Sequence, residues 1–450
     1  VGLGGSSEKY ILVLAGEGGG VGGRREEPER LGSGWVRGTR DDCLWAVVEF
    51  AWALTDPGHE NKPAYAHAFD LSRLLDLLEP FALDPSDHRG RDDRRPLLRM
   101  IHDEAINARR GRAVSVLLAV VDRLERRRGT SGREETAGDG AVLARVLAML
   151  ERQWNPRDPR GLAPIGMRAG LLYHADRRWL ERHAATIMRL PPPGEAGTDA
   201  DWAAWNSFIC LNPPHAEFLR LFRGSFARAV EHLATITPEE TRQGLGEFAP
   251  PMKLGERIVV LVARGDLAED DPIVAAFLDR APLSVINHAM AVLGRSLHQK
   301  AIPDVVVERM AAMWDRFWTR AKKEGKDGQT LGSRFTEWFT SGHAARVRGE
   351  GWTLRTLAEV LERAPGRSWI GEDFLQELAR AGDVALAIRV LEATVKQPAF
   401  AAPFGKGADA LKELLRRGLA DASTRAAAEA CIDRLGRMGL HDLGRLLEET

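Results

Sequence analysis

The 450-residue sequence predicts an all-α fold, a degenerate helical-repeat solenoid of the tetratricopeptide or HEAT kind. Three observations predict it. From Asp41 onward almost every segment repeats apolar residues at helical steps, and alternating β patterns are nearly absent. Pro-, Gly- and Asp-rich punctuation such as NPRDPRG, PPPGEAG and NPP separates the segments. Short helices joined by short turns over so long a chain cannot share one bundle core. They stack as helix pairs, each burying a stripe it could not bury alone. No fixed period emerges, so the array is degenerate rather than a consensus series.

The elements follow in order. Residues 1–40 hold one strand-like run, Tyr10 to Ala15, then GEGGGVGGRREEPERLGSG, whose composition is that of a flexible lead-in. Residues 41–450 form the solenoid, divisible into sub-blocks 41–190, 191–330 and 331–450. DDCLWAVVEFAWAL places Leu44, Val47, Val48, Ala51 and Leu54 at helical steps after an Asp cap. FDLSRLLDLLEPF, GAVLARVLAML, DRRWLERHAATIMRL, GERIVVLVARG, VVVERMAAMWDRFW, LRTLAEVLERA, ALKELLRRGL and TRAAAEACIDRLGRMG repeat the pattern. EDFLQELARAGDVALAIRVLEATV is a helix–turn–helix unit with Gly382 and Asp383 as turn and cap. The arginines 126–128 lead into GTSGREETAGDG, which reads as an exposed loop rather than a binding patch.

Composition excludes several classes of function. Lys and Arg total 63 against 64 Asp and Glu, whereas a dedicated nucleic-acid binder carries a basic excess. Cys43, Cys210 and Cys431 lie far apart with no CxxC pair. That argues against a disulfide framework or a zinc site and for a reducing, cytoplasmic home. No apolar run approaches the roughly 20 residues of a membrane span, and YILVLA is too short for a signal peptide. The chain starts at Val1, which suggests a sequence beginning inside a longer protein.

The candidate chemistry is sparse. Gly18, Gly20 and Gly23 satisfy GxGxxG after an apolar run, so a nucleotide-binding remnant over residues 10–24 is one alternative. A pyrophosphate needs a helix opening at the last glycine, but Pro28 and acidic residues follow, and no P-loop lysine is present. A flexible lead-in explains the run better. His59, His67, His88 and His102 offer no ligand pair at helical spacing. His102, Asp103 and Glu104 are adjacent and would point to different faces of a helix. No GxSxG, HExxH or matched Cys–His pattern occurs, so no catalytic residue, metal or cofactor is expected. The paired tryptophans (Trp45 and Trp52, Trp202 and Trp205, Trp314 and Trp318) share helical faces, as core packing between layers requires, and Trp338 joins them in that reading.

AINARRGRAV, residues 105–114, looks like a helix interrupted by Asn107 and Gly111. It is either a basic loop that grips an anion or a tight joint between packed helices. Asn107 can bond its own local backbone, and Gly111 lets helices approach closely or bend. Arg109, Arg110 and Arg112 would then reach acidic side chains on a neighbouring layer. The joint is the better reading.

Several blocks, taken in order, resemble one family. AINARRGRAV resembles an AIN-x-x-RG-x-A signature through Asn107, Arg110, Gly111 and Ala113. IGMRAGLLYHADRRW resembles the following block through Arg168, Asp176 and Trp179. DWAAWNSFICLNPPHAEFLRLFRGSFARAV matches a third at Trp202, Trp205, Asn212, Pro213 and Ala229, with Phe226 and Val230 departing from its pattern. FTEWFTSG and AAAEACIDRLGRMGLHDLGRLLE are similar to the closing blocks. Together they resemble, over residues 95–447, the C-terminal helical sensor region of bacterial antiphage STAND/NACHT-type NTPases (Avs-like) and related Sir2-linked defence proteins. The resemblance implies a non-catalytic sensor that binds a phage protein, with ATPase and effector parts outside this sequence. Oligomerisation would follow attachment to such an NTPase core. A generic repeat scaffold with a host partner is the rival reading.

Overall fold

The computed structural model describes residues 71–82, 95–131, 137–154, 158–242, 245–298, 301–325, 331–332, 334–363, 372–397, 400 and 406–448. The chain divides into two units at Ala46 and Val47, and every described residue lies in the second. The lead-in, its glycine run, the helix expected at 41–54, Trp45, Trp52, His59, His67 and His88 lie outside the described residues.

The described chain is all-α, with no strand among those residues. Its first helices are α1 (Leu71–Ala82), α2 (His102–Asn107), α3 (Arg109–Ser131), α4 (Ala137–Glu151), α5 (Pro159–Met167), α6 (Ala169–Ala175) and α7 (Arg177–Ile187). Then come α8 (Asp199–Leu211), α9 (Ala216–Leu221), α10 (Arg223–Leu233), α11 (Pro238–Arg242), α12 (Pro250–Arg264), α13 (Pro272–Arg280) and α14 (Leu283–Ser296). The last are α15 (Asp304–Glu324), α16 (Phe335–Thr340), α17 (His343–Arg348), α18 (Glu350–Arg363), α19 (Glu372–Arg380), α20 (Val384–Val395), α21 (Lys406–Ala420) and α22 (Arg425–Arg437).

Local chemistry sets the boundaries. Asp158, Asp176, Asp271 and Asp383 each accept a backbone N–H two or three residues on, the side-chain cap that an orphan helix N-terminus needs. Thr198 and Asp201 make a reciprocal capping box for α8. Proline opens α12, and Gly265, at φ +82°, closes it in the left-handed conformation.

Packing follows a solenoid-like order. Helices α1, α3, α5, α8, α12, α14, α16, α18, α20 and α22 each touch the next, forming one continuous row. A second row runs through α10, α13, α15 and α17, and α19 packs on α21. The apolar stripes meet between rows in one buried cluster that reaches from Leu71 to Leu446.

Arginines pin successive layers together. The guanidinium of Arg228 donates to the Leu190 carbonyl, that of Arg264 to Pro214 and that of Arg320 to both Leu278 and Ala281. Arg363 donates to Lys322, Arg417 to Ala379 and Ala381, and Arg434 to Val395. The acceptors Leu278, Ala281, Lys322, Ala379, Ala381 and Val395 lie in or just after the last turn of an earlier helix, where carbonyls lack partners and the helix dipole favours a cation. Leu190 and Pro214 lie in the connections that follow α7 and α8. Donor and acceptor stand 36 to 50 residues apart. A variable repeat is therefore written in these bonds, although no period shows in the sequence.

Two local expectations are corrected. The arginines 126–128 are helical, not loop: α3 runs to Ser131 and α4 begins at Ala137. Acidic residues at helical spacing hold them there, Asp122 with Arg126 at 2.9 Å and Glu125 with Arg128 at 2.7 Å. The break in AINARRGRAV falls at Ala108, whose φ −91° and ψ 143° end α2, while Gly111 is helical in α3.

Candidate functional site

Gly111 sits where three helices converge. A Cβ there would lie 2.0 Å from the Ala105 carbonyl oxygen and 2.9 Å from that of Arg160, so backbone from both α2 and α5 closes on it. The glycine serves close approach rather than an unusual φ. Asn107 ends α2, with its Nδ2 donating to the Asp103 carbonyl at 2.7 Å. Arg110 points inward and is 2% exposed. Its Nε donates to Gln153 Oε1 at 2.9 Å, and a terminal nitrogen faces Asp158 Oδ2 at 3.4 Å. Gln153 Nε2 in turn donates to the Ala82 and Met149 carbonyls, and Asp158 Oδ1 caps α5 through the Arg160 N–H. One buried guanidinium thus joins α3 and α5 to the ends of α1 and α4. Arg112 is half-buried.

The other residues of interest surround the same helix α5. Asp176 Oδ1 accepts the Trp179 N–H at 2.9 Å, and Trp179 Nε1 donates to Glu151 Oε1 at 2.8 Å. Trp179, Trp154 and His183 form a ring cluster with centroids 5.1 to 5.9 Å apart, which ties α7 to the end of α4. Trp202 and Trp205 are buried in α8. Trp202 Nε1 donates to the Ala196 carbonyl at 2.9 Å and its ring meets His232 edge-on at 5.0 Å. Trp205 meets Phe226 edge-on at 5.1 Å. Between α5 and α8 there is no room for a side chain at Gly166, where a Cβ would lie 1.9 Å from the Ala204 carbonyl oxygen. Asn212 Nδ2 donates to the Gly166, Met167 and Phe208 carbonyls, each at 3.1 Å. Helix α5 touches α2, α3, α6, α7 and α8, so the structure brings the three blocks together around it.

Sequence reasoning missed three members of this junction. Asn206 Nδ2 donates to the Pro96 and Arg99 carbonyls at 2.8 and 2.7 Å, and its signal was an amide side chain within the otherwise largely apolar stretch WAAWNSFICL. Buried Arg99 pairs with Asp199 at 2.8 Å and with Glu104. Gln153 gave no signal, because its partners are distant in sequence.

The remaining titratable groups have structural surroundings. Burial pushes the thiols of Cys210 and Cys431 up to about 12, so neither is a ready nucleophile near neutrality. Burial, with the Arg168 charge adding to it against Asp103, lowers His102. Glu256 accepts from Lys253 Nζ at 2.9 and 3.0 Å and lies 2.7 Å from His288 Nε2, between α12 and α14. Burial raises its pKa, but the His288 and Lys253 hydrogen bonds and charges outweigh it and leave Glu256 below its ordinary value. Among the described residues no group of three or more His, Cys, Asp or Glu side chains is placed to hold a metal. No described helix is long and apolar enough to cross a membrane.

Comparisons with protein-family models, curated proteins and solved structures find no match to this chain.

Proposed function

We propose that this chain is a non-catalytic, protein-binding sensor module of a bacterial antiviral defence system, working in the cytoplasm and recognising a phage protein through its helical surface. One observation carries the reading. The residues that carry the resemblance to the antiphage sensor blocks, from Asn107 to Trp205, gather at a closely packed helical junction around α5, and buried Arg110 is held by Gln153 and Asp158. That arrangement is what a recognition scaffold needs: a fixed stack whose outward residues are left to meet a partner. Binding to this module would be read out by an ATPase and effector encoded beyond or beside it.

The test is capture by the tagged full chain from phage-infected and uninfected cells, followed by titration with the purified captured protein. The sensor reading expects a phage-encoded protein that binds directly and saturably. Capture of the same host protein with or without infection would replace it with a host scaffold. Equilibrium dialysis with labelled ATP and NAD addresses the nucleotide alternative at residues 10–24, and saturable binding of either would overturn the non-catalytic reading.

A further inference from the structure

We infer that His102 is an acid-sensitive latch, a group whose protonation loosens α2 from α5 at the joint around Gly111. Helix α2 has six residues, too few to hold a helical conformation without its neighbours. Packing on α5 and α3 keeps it in place. His102 is its first residue and half-buried, and its Nδ1 is buried with no hydrogen-bond partner among the described residues. Other histidines of the chain differ in this respect. His183 faces Glu151, and His215 Nδ1 accepts the Glu217 N–H. His232 Nε2 lies 3.1 Å from the Pro191 carbonyl oxygen, and His288 Nε2 lies 2.7 Å from Glu256.

The site makes the two protonation states of the ring unequal. Neutral imidazole can carry its one proton on Nε2 and leave Nδ1 bare, whereas the cation must place an N–H on each nitrogen. In His102 the added N–H would be buried without an acceptor. The new charge would also stand at the N-terminus of α2, where the helix dipole disfavours a cation and Ile101 supplies no side-chain cap. Arg168, directly after α5, repels it, while Asp103, next along α2, attracts it. Neighbouring charges are turned elsewhere: Glu104 and Asp199 to Arg99, and Arg110 on α3 to Gln153 and Asp158. Burial is the largest of these effects and holds His102 below its ordinary value of 6.5. Its contribution to the joint is therefore complete above pH 6.5 and is lost as pH falls from there through the folded pKa. That loss begins well above the range of Glu256, whose pKa lies below 4.5.

The experiment is hydrogen exchange of the full chain at about pH 7.5 and about pH 5.5, corrected for the intrinsic pH dependence of exchange, with His102→Gln and His102→Leu alongside. In the parent, opening of α2 and of the part of α5 that it touches should rise by up to roughly tenfold on acidification. Exchange in α20 should keep its rate. Neither variant titrates at this position, so each should lose the acid-dependent rise, even where its exchange near neutrality is already faster than the parent's. An equal rise in the parent and both variants would overturn the inference. So would a parent whose α2 opens no faster in acid, or one in which α2 and α20 quicken together.

Discussion

Gly111 and Arg110 show how neighbouring residues can be fixed by unlike forces. At Gly111 the constraint is steric, since a Cβ would enter the Ala105 carbonyl. At Arg110 it is electrostatic, because the side chain is buried beside Asp158 and Gln153. Arg110→Ala would remove the guanidinium that Gln153 Oε1 and Asp158 Oδ2 share in a buried site and should destabilise by about 3 kcal/mol, read from denaturant melts. Asn107→Ala removes one exposed bond to Asp103 and should destabilise by only about 0.5 kcal/mol. If the two variants lost equal stability, the inward placement of Arg110 would be wrong. Glu256 supplies a pH dependence. Its folded pKa lies below the ordinary value of 4.5, so its contribution is present above that value and is lost as pH falls through the folded pKa. Glu256→Gln should therefore flatten the decline in melting temperature below about pH 4.5, and an unchanged slope would exclude Glu256 from it.

At the scale of elements, helices were legible and their fastenings were not. The helical steps of EDFLQELARAGDVALAIRVLEATV became α19 and α20, and Asp383 caps the second through the Leu386 N–H at 3.0 Å. Such features lie within a few residues of each other, so a sequence displays them. The clamp from Arg417 to Ala379 and Ala381 joins residues 38 and 36 apart, and other clamps vary up to 50. No periodicity search finds an arginine whose acceptor is a backbone carbonyl at an irregular distance. The same limit hid Gln153, and the expected loop at 126–128 ignored the acids that hold those arginines in a helix. Arg417→Ala should destabilise by about 1.5 kcal/mol. Hydrogen exchange should quicken at the end of α19 and in α21 while α3 and α5 keep their protection. Uniform acceleration across the chain would show that the clamp is not local.

For the whole molecule, one buried cluster from Leu71 to Leu446 joins rows of helices that touch mainly their neighbours. Nearest-neighbour packing makes each junction a separate source of rigidity, and at the junction around α5 Gly111, Gly161 and Gly166 are each closed upon by neighbouring atoms. The sequence suggested a joint at 105–114 from its Asn, Gly and arginines, but not the helix it meets, since Arg160 lies far along the chain. The central claim is that this stretch holds helices together and does not grip an anion. Melting of Gly111→Val and the parent chain, each with and without millimolar phosphate or ATP, tests it most directly. The account predicts a loss of about 3 kcal/mol or more that is the same with and without ligand, because the added side chain would displace backbone in α2 and α5. A variant that melts like the parent and loses only a phosphate- or ATP-dependent rise in melting temperature would contradict it.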